Sequence, residues 1–169
     1  MLAKKEEHNN AKVCNTMKAI ALRFSDNFAP PEGTIEAHRH IIVRNGFVWY
    51  GKLGSRISDR VTREVLAEQS PRILLIHSGK TARYWAFITG IQREQPSDNI
   101  PEYYKDRADD FKTWFRIIHI DEAPKDVLSH CIVPSSGNTL SYASKGSMSP
   151  YFIIEYNVED YIIGELLSE

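Results

Sequence analysis

Residues 73–91 constrain the fold of this chain more than any other segment. The run Ile73–Ile76 is apolar at every position, which is typical of a strand buried on both faces. Ser78-Gly79-Lys80 then supplies turn residues, and Tyr84–Ile91 returns with many β-branched and aromatic side chains. The pattern predicts a hairpin of two buried strands at the centre of the domain.

The chain is long enough to bury such a core without a disulfide bond or a structural metal ion. Its 169 residues match one ordinary domain, and 42% hydrophobic with 25% charged residues is typical of a globular protein. No apolar run approaches the roughly 18 residues that span a bilayer, and the N-terminus has no signal-peptide core. Cys14 and Cys131 lie far apart and predict free thiols in a reducing compartment. We therefore expect a cytoplasmic protein with no membrane contact.

Weaker signals on both sides of the hairpin complete the domain. Thr34 is a predicted N-cap and Asn45-Gly46 a predicted helix end, and a second helix is expected over 58–69. A third helix is expected over 160–167, and further strands over 17–24, 47–52, 111–120, 131–133 and 151–156. These elements predict an α/β (α+β) fold, a small curved β-barrel or sheet flanked by two or three helices. Residues 1–16 are expected to be a flexible leader and residues 17–169 a single domain.

Three motifs could carry chemistry, and each favours a plainer explanation. In the segment EAHRH, His38 and His40 differ by two positions on a helix and point to different faces, so a metal site is not expected. His77 and Ser78 are adjacent on a strand and point to opposite faces, which disfavours a nucleophile pair. The run SGKT at 78–81 lacks the first glycine of a phosphate loop and leads into a strand. The sequence predicts no enzyme, no metal site and no cofactor.

Aromatic residues are the more informative feature. The three tryptophans, Trp49, Trp85 and Trp114, each lie in or beside a predicted strand. Trp49 also precedes Gly51-Lys52, where glycine allows close approach of the backbone. Aromatic rings flanked by glycine, serine and lysine suit a pocket that stacks a planar base, and a methylated base in particular. Because the net charge is −1, any nucleic-acid binding must come from a local patch or pocket.

The polar connection over residues 92–110 is long, and connections of this length between secondary-structure elements are often functional.

Six short segments occur in a characteristic order between residues 17 and 156. They are Thr34-Ile35-Glu36, Val48–Lys52, Ile73–Lys80, Trp85–Ile91, Trp114–Ile117 and Ser147–Pro150. Together they resemble the EVE family and, more distantly, the YTH family, both of the PUA-like fold. Ile76-His77-Ser78 stands where that family has a strand ending in Tyr-His-Ser, and Ser147–Pro150 stands at its late proline-containing element.

The resemblance implies a reader of a modified base in DNA or RNA, with a methylated base as the favoured case. The residues that it places around the base are Trp49, Tyr50, Ser78, Gly79, Trp85, Trp114 and Ser149. The residues that it places on phosphates are Lys52, Lys80 and Arg83. A nuclease or another effector subunit is a candidate partner. The alternative is a non-catalytic regulatory or protein-interaction module that binds a nucleotide-like small ligand.

Overall fold

Eight strands form one open sheet in the computed structural model, which describes residues 16–157. The strands are β1 (Thr16–Phe24), β2 (Val48–Leu53), β3 (Arg72–His77), β4 (Arg83–Gln92), β5 (Phe111–Glu122), β6 (Cys131–Val133), β7 (Asn138–Thr139) and β8 (Tyr151–Asn157). The helices are α1 (Thr34–Asn45), α2 (Asp59–Leu66) and α3 (Leu140–Lys145), with a long 3₁₀ helix (Glu102–Asp110) and a short one (Val127–His130). The strand order is β2-β5-β4-β3-β1-β8-β6-β7. β1 and β3 run parallel, and the other neighbours are antiparallel.

The predicted hairpin is confirmed at the middle of this sheet. β3 and β4 pair antiparallel, with Ile73 opposite Ala86 and Leu75 opposite Tyr84. β3 also pairs with β1 on its other edge, and its side chains alternate between the apolar cores on the two faces of the sheet. Ile73, Leu74 and Leu75 are at most 1% exposed. Burial on both faces explains why the strand is apolar at every position rather than at alternate ones.

The two faces of the sheet carry separate apolar cores. On β1, Ile20 and Leu22 pack with α1 and α2, whereas Ala19 and Ala21 pack with the short 3₁₀ helix and α3. Successive strand residues point to opposite faces, which accounts for this alternation. A third cluster forms where the long 3₁₀ helix covers the start of β5.

The predicted α+β class is confirmed, although the sheet is open rather than closed into a barrel. β7 is not among the predicted strands, because its two residues are too few to show an alternating pattern. The serine-rich stretch before β8 also contains α3, whose N-cap is Thr139, and the hydroxyl of this residue accepts the Tyr142 amide. The predicted leader and terminal helix fall outside the described residues, except that Thr16 begins β1.

The ends of the first two helices differ in detail from the prediction. Gly33, not Thr34, is the N-cap of α1, and the Asp26 carboxylate accepts the first helical amide, that of Thr34, at 2.9 Å. Gly46 ends α1 in the left-handed conformation at φ 87°, as the sequence predicts. α2 ends at Leu66, three residues before the predicted end. No helix within residues 16–157 is long and apolar enough to cross a bilayer.

Candidate functional site

A cavity of about 280 Å³ lies where the ends of β1 and β2 meet the long 3₁₀ helix. The loop between β1 and α1 forms one side of its mouth, and the residue before β8 forms another. Six of the lining side chains are aromatic: Phe24, Phe28, Tyr50, Tyr103, Tyr104 and Phe111. The cavity is therefore an aromatic-walled recess of a size and composition suited to a planar ligand.

One wall depends on a glycine that a side chain approaches closely. A Cβ atom on Gly51 would lie 2.7 Å from Cγ of Phe111, so the Phe111 ring packs directly on the β2 backbone. The ring of Tyr104 lies 4.7 Å from that of Phe111, centroid to centroid. Gly51 therefore allows a close approach to the β2 backbone, and the group that makes this approach is the Phe111 ring.

A carboxylate at the edge of the cavity joins three segments of the chain. Oδ1 of Asp26 accepts the Thr34 amide, and Oδ2 lies 2.7 Å from Nε2 of His77. Nδ1 of His77 accepts the Gly79 amide at 3.0 Å, so Nε2 carries the proton that Asp26 accepts. Burial alone would raise the pKa of Asp26, but the hydrogen bonds from Thr34 and His77 outweigh it and lower that pKa. This network fixes the start of α1 and the turn after β3 beside the cavity.

A buried histidine supports two of the aromatic walls from behind. His38 is 1% exposed, and its ring centroid lies 5.3 Å from that of Tyr50 and 5.5 Å from that of Tyr104. Nδ1 lies 2.7 Å from the Thr34 carbonyl and donates to it. Burial lowers the pKa of His38 to about 4, against the opposing effect of that hydrogen bond. The imidazole is therefore neutral at neutral pH, and it keeps the tyrosine rings in place as a packing group.

The charged residues of the lining are all cationic. Arg23, Lys52 and Arg107 line the cavity, and no aspartate or glutamate is among the lining residues. Arg23 donates to the Ser144 carbonyl in α3 and to the Ser147 carbonyl in the loop before β8. Lys52 donates to the carbonyl of Leu53, the last residue of β2, and to that of Ser55 just after it, and burial lowers the pKa of Lys52. The Arg107 guanidinium lies 4.0 Å from the centroid of the Phe28 ring. The site therefore favours a ligand that carries negative charge or exposed acceptor atoms.

The structure brings together three of the ten site residues named from the sequence. Tyr50, Lys52 and Ser78 line the cavity. Trp49 is next to Tyr50 on β2 and so lies on the opposite face of the sheet, where it packs against the cluster under the long 3₁₀ helix. Trp49 and Ser78 consequently do not share this cavity.

The other two tryptophans are core residues in this structure. Trp85 is fully buried against Tyr156, at 5.0 Å between ring centroids. Trp114 is fully buried against Phe111, at 5.2 Å. Neither presents a ring face to a ligand, because each is enclosed by side chains on all sides.

The remaining four residues lie near the cavity without lining it. The Gly79 amide is bound by His77, and Lys80 is exposed in the same turn. Arg83 donates to the Thr81 carbonyl at 2.5 Å. The Ser149 hydroxyl donates to the carbonyl of the first β8 residue at 2.7 Å. These contacts are local and hold loops in shape.

Several cavity residues were not named from the sequence. Tyr103, Tyr104 and Arg107 come from the long polar connection, whose length was the signal that it could be functional. Phe28, and Asp26 beside the cavity, lie in a loop marked by prolines and glycine, with no pattern that distinguishes them from other loop residues.

A second cavity, of about 420 Å³, lies beside α2. Tyr151 is the aromatic residue among those that line it, and its charged residues include Asp59 and Arg93, which form an ion pair with each other. Its charges are therefore partly neutralised, unlike those of the aromatic cavity. Among the residues that the structure describes, no group of three His, Cys, Asp or Glu side chains is placed to hold a metal ion.

Comparison with known proteins gives one family. A family model described as Pua-like matches residues 20–141, which is more than half of the chain. No curated protein and no solved structure matches the sequence. The matched region contains most of β1, all of β2–β7, α1, α2 and almost all of the cavity lining.

Proposed function

The chain belongs to the Pua-like family, and from this premise we propose that it is a nucleic-acid-binding module whose ligand site is the aromatic cavity. Family membership supports nucleic-acid binding in general terms. In the proposal, the cavity holds one single-stranded or flipped base and selects a base that carries a methyl group.

The observation that carries the proposal is the composition of the cavity lining. Six aromatic rings and three cations line it, with no carboxylate, in a chain whose net charge is −1. A chain of balanced charge that places three cations and no carboxylate in the lining of one aromatic recess has the local patch that nucleic-acid binding requires. Stacking of a base is worth roughly 1–3 kcal/mol, which offsets the few kcal/mol that flipping costs.

The size of the cavity fits one base better than a whole nucleotide. Its volume of about 280 Å³ is just below the range of about 300–1,000 Å³ that is typical of sites for drug-sized ligands. A base inside it therefore leaves its sugar and phosphate groups at the mouth, where cations lie.

The groups around the cavity favour binding over catalysis. Both ring nitrogens of His77 are engaged, one by the Gly79 amide and the other by Asp26. Burial raises the pKa of Tyr50 and Tyr104, so both phenols stay protonated and act as hydrogen-bond groups. A proton-accepting group poised near neutral pH is what general base catalysis needs. We therefore propose that the protein is a non-catalytic reader that recruits an effector. A nuclease or another effector subunit remains the predicted partner. The cytoplasm remains the predicted location.

A cavity-blocking variant tests the proposal. Ser78 lines the cavity and is exposed, so Ser78→Trp places an indole at the cavity without crowding the core. Thr81→Trp adds the same ring to an exposed position of the same turn that does not line the cavity, and it is the matched control. Fluorescence anisotropy measures the Kd of short single-stranded DNA and RNA, each with and without a methyl group on the central base.

We expect the wild type and Thr81→Trp to bind with similar Kd values and to prefer the methylated strand. We expect Ser78→Trp to bind roughly 5- to 150-fold more weakly, the loss that corresponds to one stacked base. Equal Kd values for all three proteins would contradict the cavity as the site. Absence of binding by the wild type to every strand would contradict the function itself.

The other hypothesis is a regulatory or protein-interaction module that binds a nucleotide-like small ligand. It is compatible with a lining in which Arg23 and Lys52 already donate to backbone carbonyls. A thermal-shift series with free mononucleotides separates the two, because ligand that binds the folded state raises Tm. Stabilisation by mononucleotides at concentrations where oligonucleotides have no larger effect would favour the small-ligand module.

A further inference from the structure

We propose that the mouth of the cavity is a second subsite, formed by Phe28 and Arg107, which binds the nucleotide next to the base in the cavity. The ligand is then a single strand of linked nucleotides rather than a free base or mononucleotide. This inference rests on the proposed function and specifies its ligand.

Phe28 presents an aromatic ring to solvent on a fixed turn. It lines the cavity and yet is 65% exposed, so it stands at the mouth. The Ala29 amide donates to the Asp26 carbonyl at 3.1 Å, which closes a turn with Phe28 at its third position. The Asp26 side chain is in turn held by α1 and by His77. A large exposed ring on a well-anchored turn is a preformed platform for stacking.

Arg107 supplies a cation directly beside that ring. Its guanidinium lies 4.0 Å from the Phe28 ring centroid. Within residues 16–157, no carboxylate lies at salt-bridge distance from Arg107, although aspartates neighbour it in sequence. A guanidinium without a carboxylate partner keeps its fork of donors for a planar anionic group, and phosphate matches that geometry.

The positions of the two side chains match the covalent layout of a strand. A base that fills the cavity has its phosphates at the mouth, where Arg107 lies. The next base along the strand then lies beyond that phosphate, within reach of the exposed Phe28 face. Stacking is tolerant of sequence, because every base has a π-face. The pair therefore contributes affinity for single strands, while the cavity contributes base selection.

The experiment compares ligands of two lengths. The wild type, Phe28→Ala and Arg107→Gln are titrated with a trinucleotide carrying the methylated base at its centre and with the corresponding mononucleotide, as DNA and as RNA. Tyr142→Ala, which truncates an aromatic side chain that is 70% exposed on α3, is the control for loss of a surface ring.

We expect Phe28→Ala to weaken trinucleotide binding by roughly 5- to 100-fold. Because the Phe28 ring also lines the cavity, mononucleotide binding should weaken too, but by a clearly smaller factor. Tyr142→Ala should bind both ligands as the wild type does. Arg107→Gln is expected to reduce the dependence of log K on log salt by about 0.7 for the trinucleotide. Equal losses for both ligands in Phe28→Ala, or no loss for either, would overturn the second subsite and leave the proposed function intact. Failure of the wild type to bind the trinucleotide would overturn both. A loss for DNA or for RNA alone would support the subsite and identify the strand that it accepts.

Discussion

Acidification should destabilise this protein through one buried side chain, His38. Its imidazole is 1% exposed and donates from Nδ1 to the Thr34 carbonyl, while its Nε2 atom has no hydrogen-bond partner among the described residues. A second proton would have to sit on Nε2, in a buried imidazole that packs against the rings of Tyr50 and Tyr104. Charging a group in such surroundings is unfavourable, so the folded state resists protonation.

The magnitude follows from the two pKa values of His38. In the unfolded chain the pKa is 6.5, and in the folded state it is about 4. Between these values the unfolded state binds more protons than the folded state, so stability falls as pH falls. A difference of about 2.5 in pKa corresponds to about 3 kcal/mol at full protonation, and to about 2 kcal/mol between pH 7 and pH 5. This is a large part of the roughly 5–15 kcal/mol that typically separates folded and unfolded states.

Urea unfolding followed by tryptophan fluorescence, at pH 7 and at pH 5, measures the effect. Between pH 7 and pH 5, the free energy of unfolding of the wild type should fall by about 2 kcal/mol more than that of His38→Phe. Phenylalanine keeps the ring packing but cannot take up a proton. His38→Gln, which retains a donor for the Thr34 carbonyl, serves if the phenylalanine variant is too unstable. His40→Gln alters an exposed histidine of the same helix and should lose stability as the wild type does. An equal loss in wild type and His38→Phe would refute the reasoning.

Two further predictions concern packing around the core. Gly51→Ala should lower the free energy of unfolding by about 1–3 kcal/mol, because its methyl group would overlap the Phe111 ring. Urea unfolding measures the effect, and Gly146→Ala, at a position where an added Cβ meets no atom within 4 Å, is the control that should change stability little. The Cys131 thiol should react with a disulfide reagent only after unfolding, since it is buried and burial raises its pKa to about 12. In a Cys14→Ser background, reaction of Cys131 at the rate of a free thiol under native conditions would contradict this.

The two central strands, β3 and β4, could be predicted from the sequence, because a strand that is buried on both faces has an uninterrupted run of apolar residues. Ile73–Ile76 of β3 is apolar at every position, and β4 is rich in β-forming residues, so both strands could be predicted from the local residue pattern. The sheet order was not predictable in the same way. The parallel pairing of β1 with β3 joins residues about fifty positions apart, and nothing local in either strand encodes that contact.

The cavity was harder to predict because a tryptophan has the same appearance in sequence whether it lines a site or fills a core. Trp85 and Trp114 are fully buried, while the cavity takes its rings from Tyr103 and Tyr104 in a polar connection and from Phe28 in a loop. Those residues come together only through tertiary packing. On β2 the period of two points Tyr50 and Trp49 to opposite sides of the strand. Tyr50 lines the cavity and Trp49 packs against the cluster under the long 3₁₀ helix, a distinction that depends on how that helix covers the strand.

Photochemical crosslinking tests the central claim, that the aromatic cavity is the nucleic-acid site, most directly. The wild-type protein is irradiated with a single strand that carries a photoreactive base, and the adducts are located by mass spectrometry of the peptides. We predict adducts on Tyr103 or Tyr104, in the long 3₁₀ helix, and on Phe28 at the mouth. Adducts confined to Trp49, on the opposite face of the sheet, with none in the cavity lining, would contradict it.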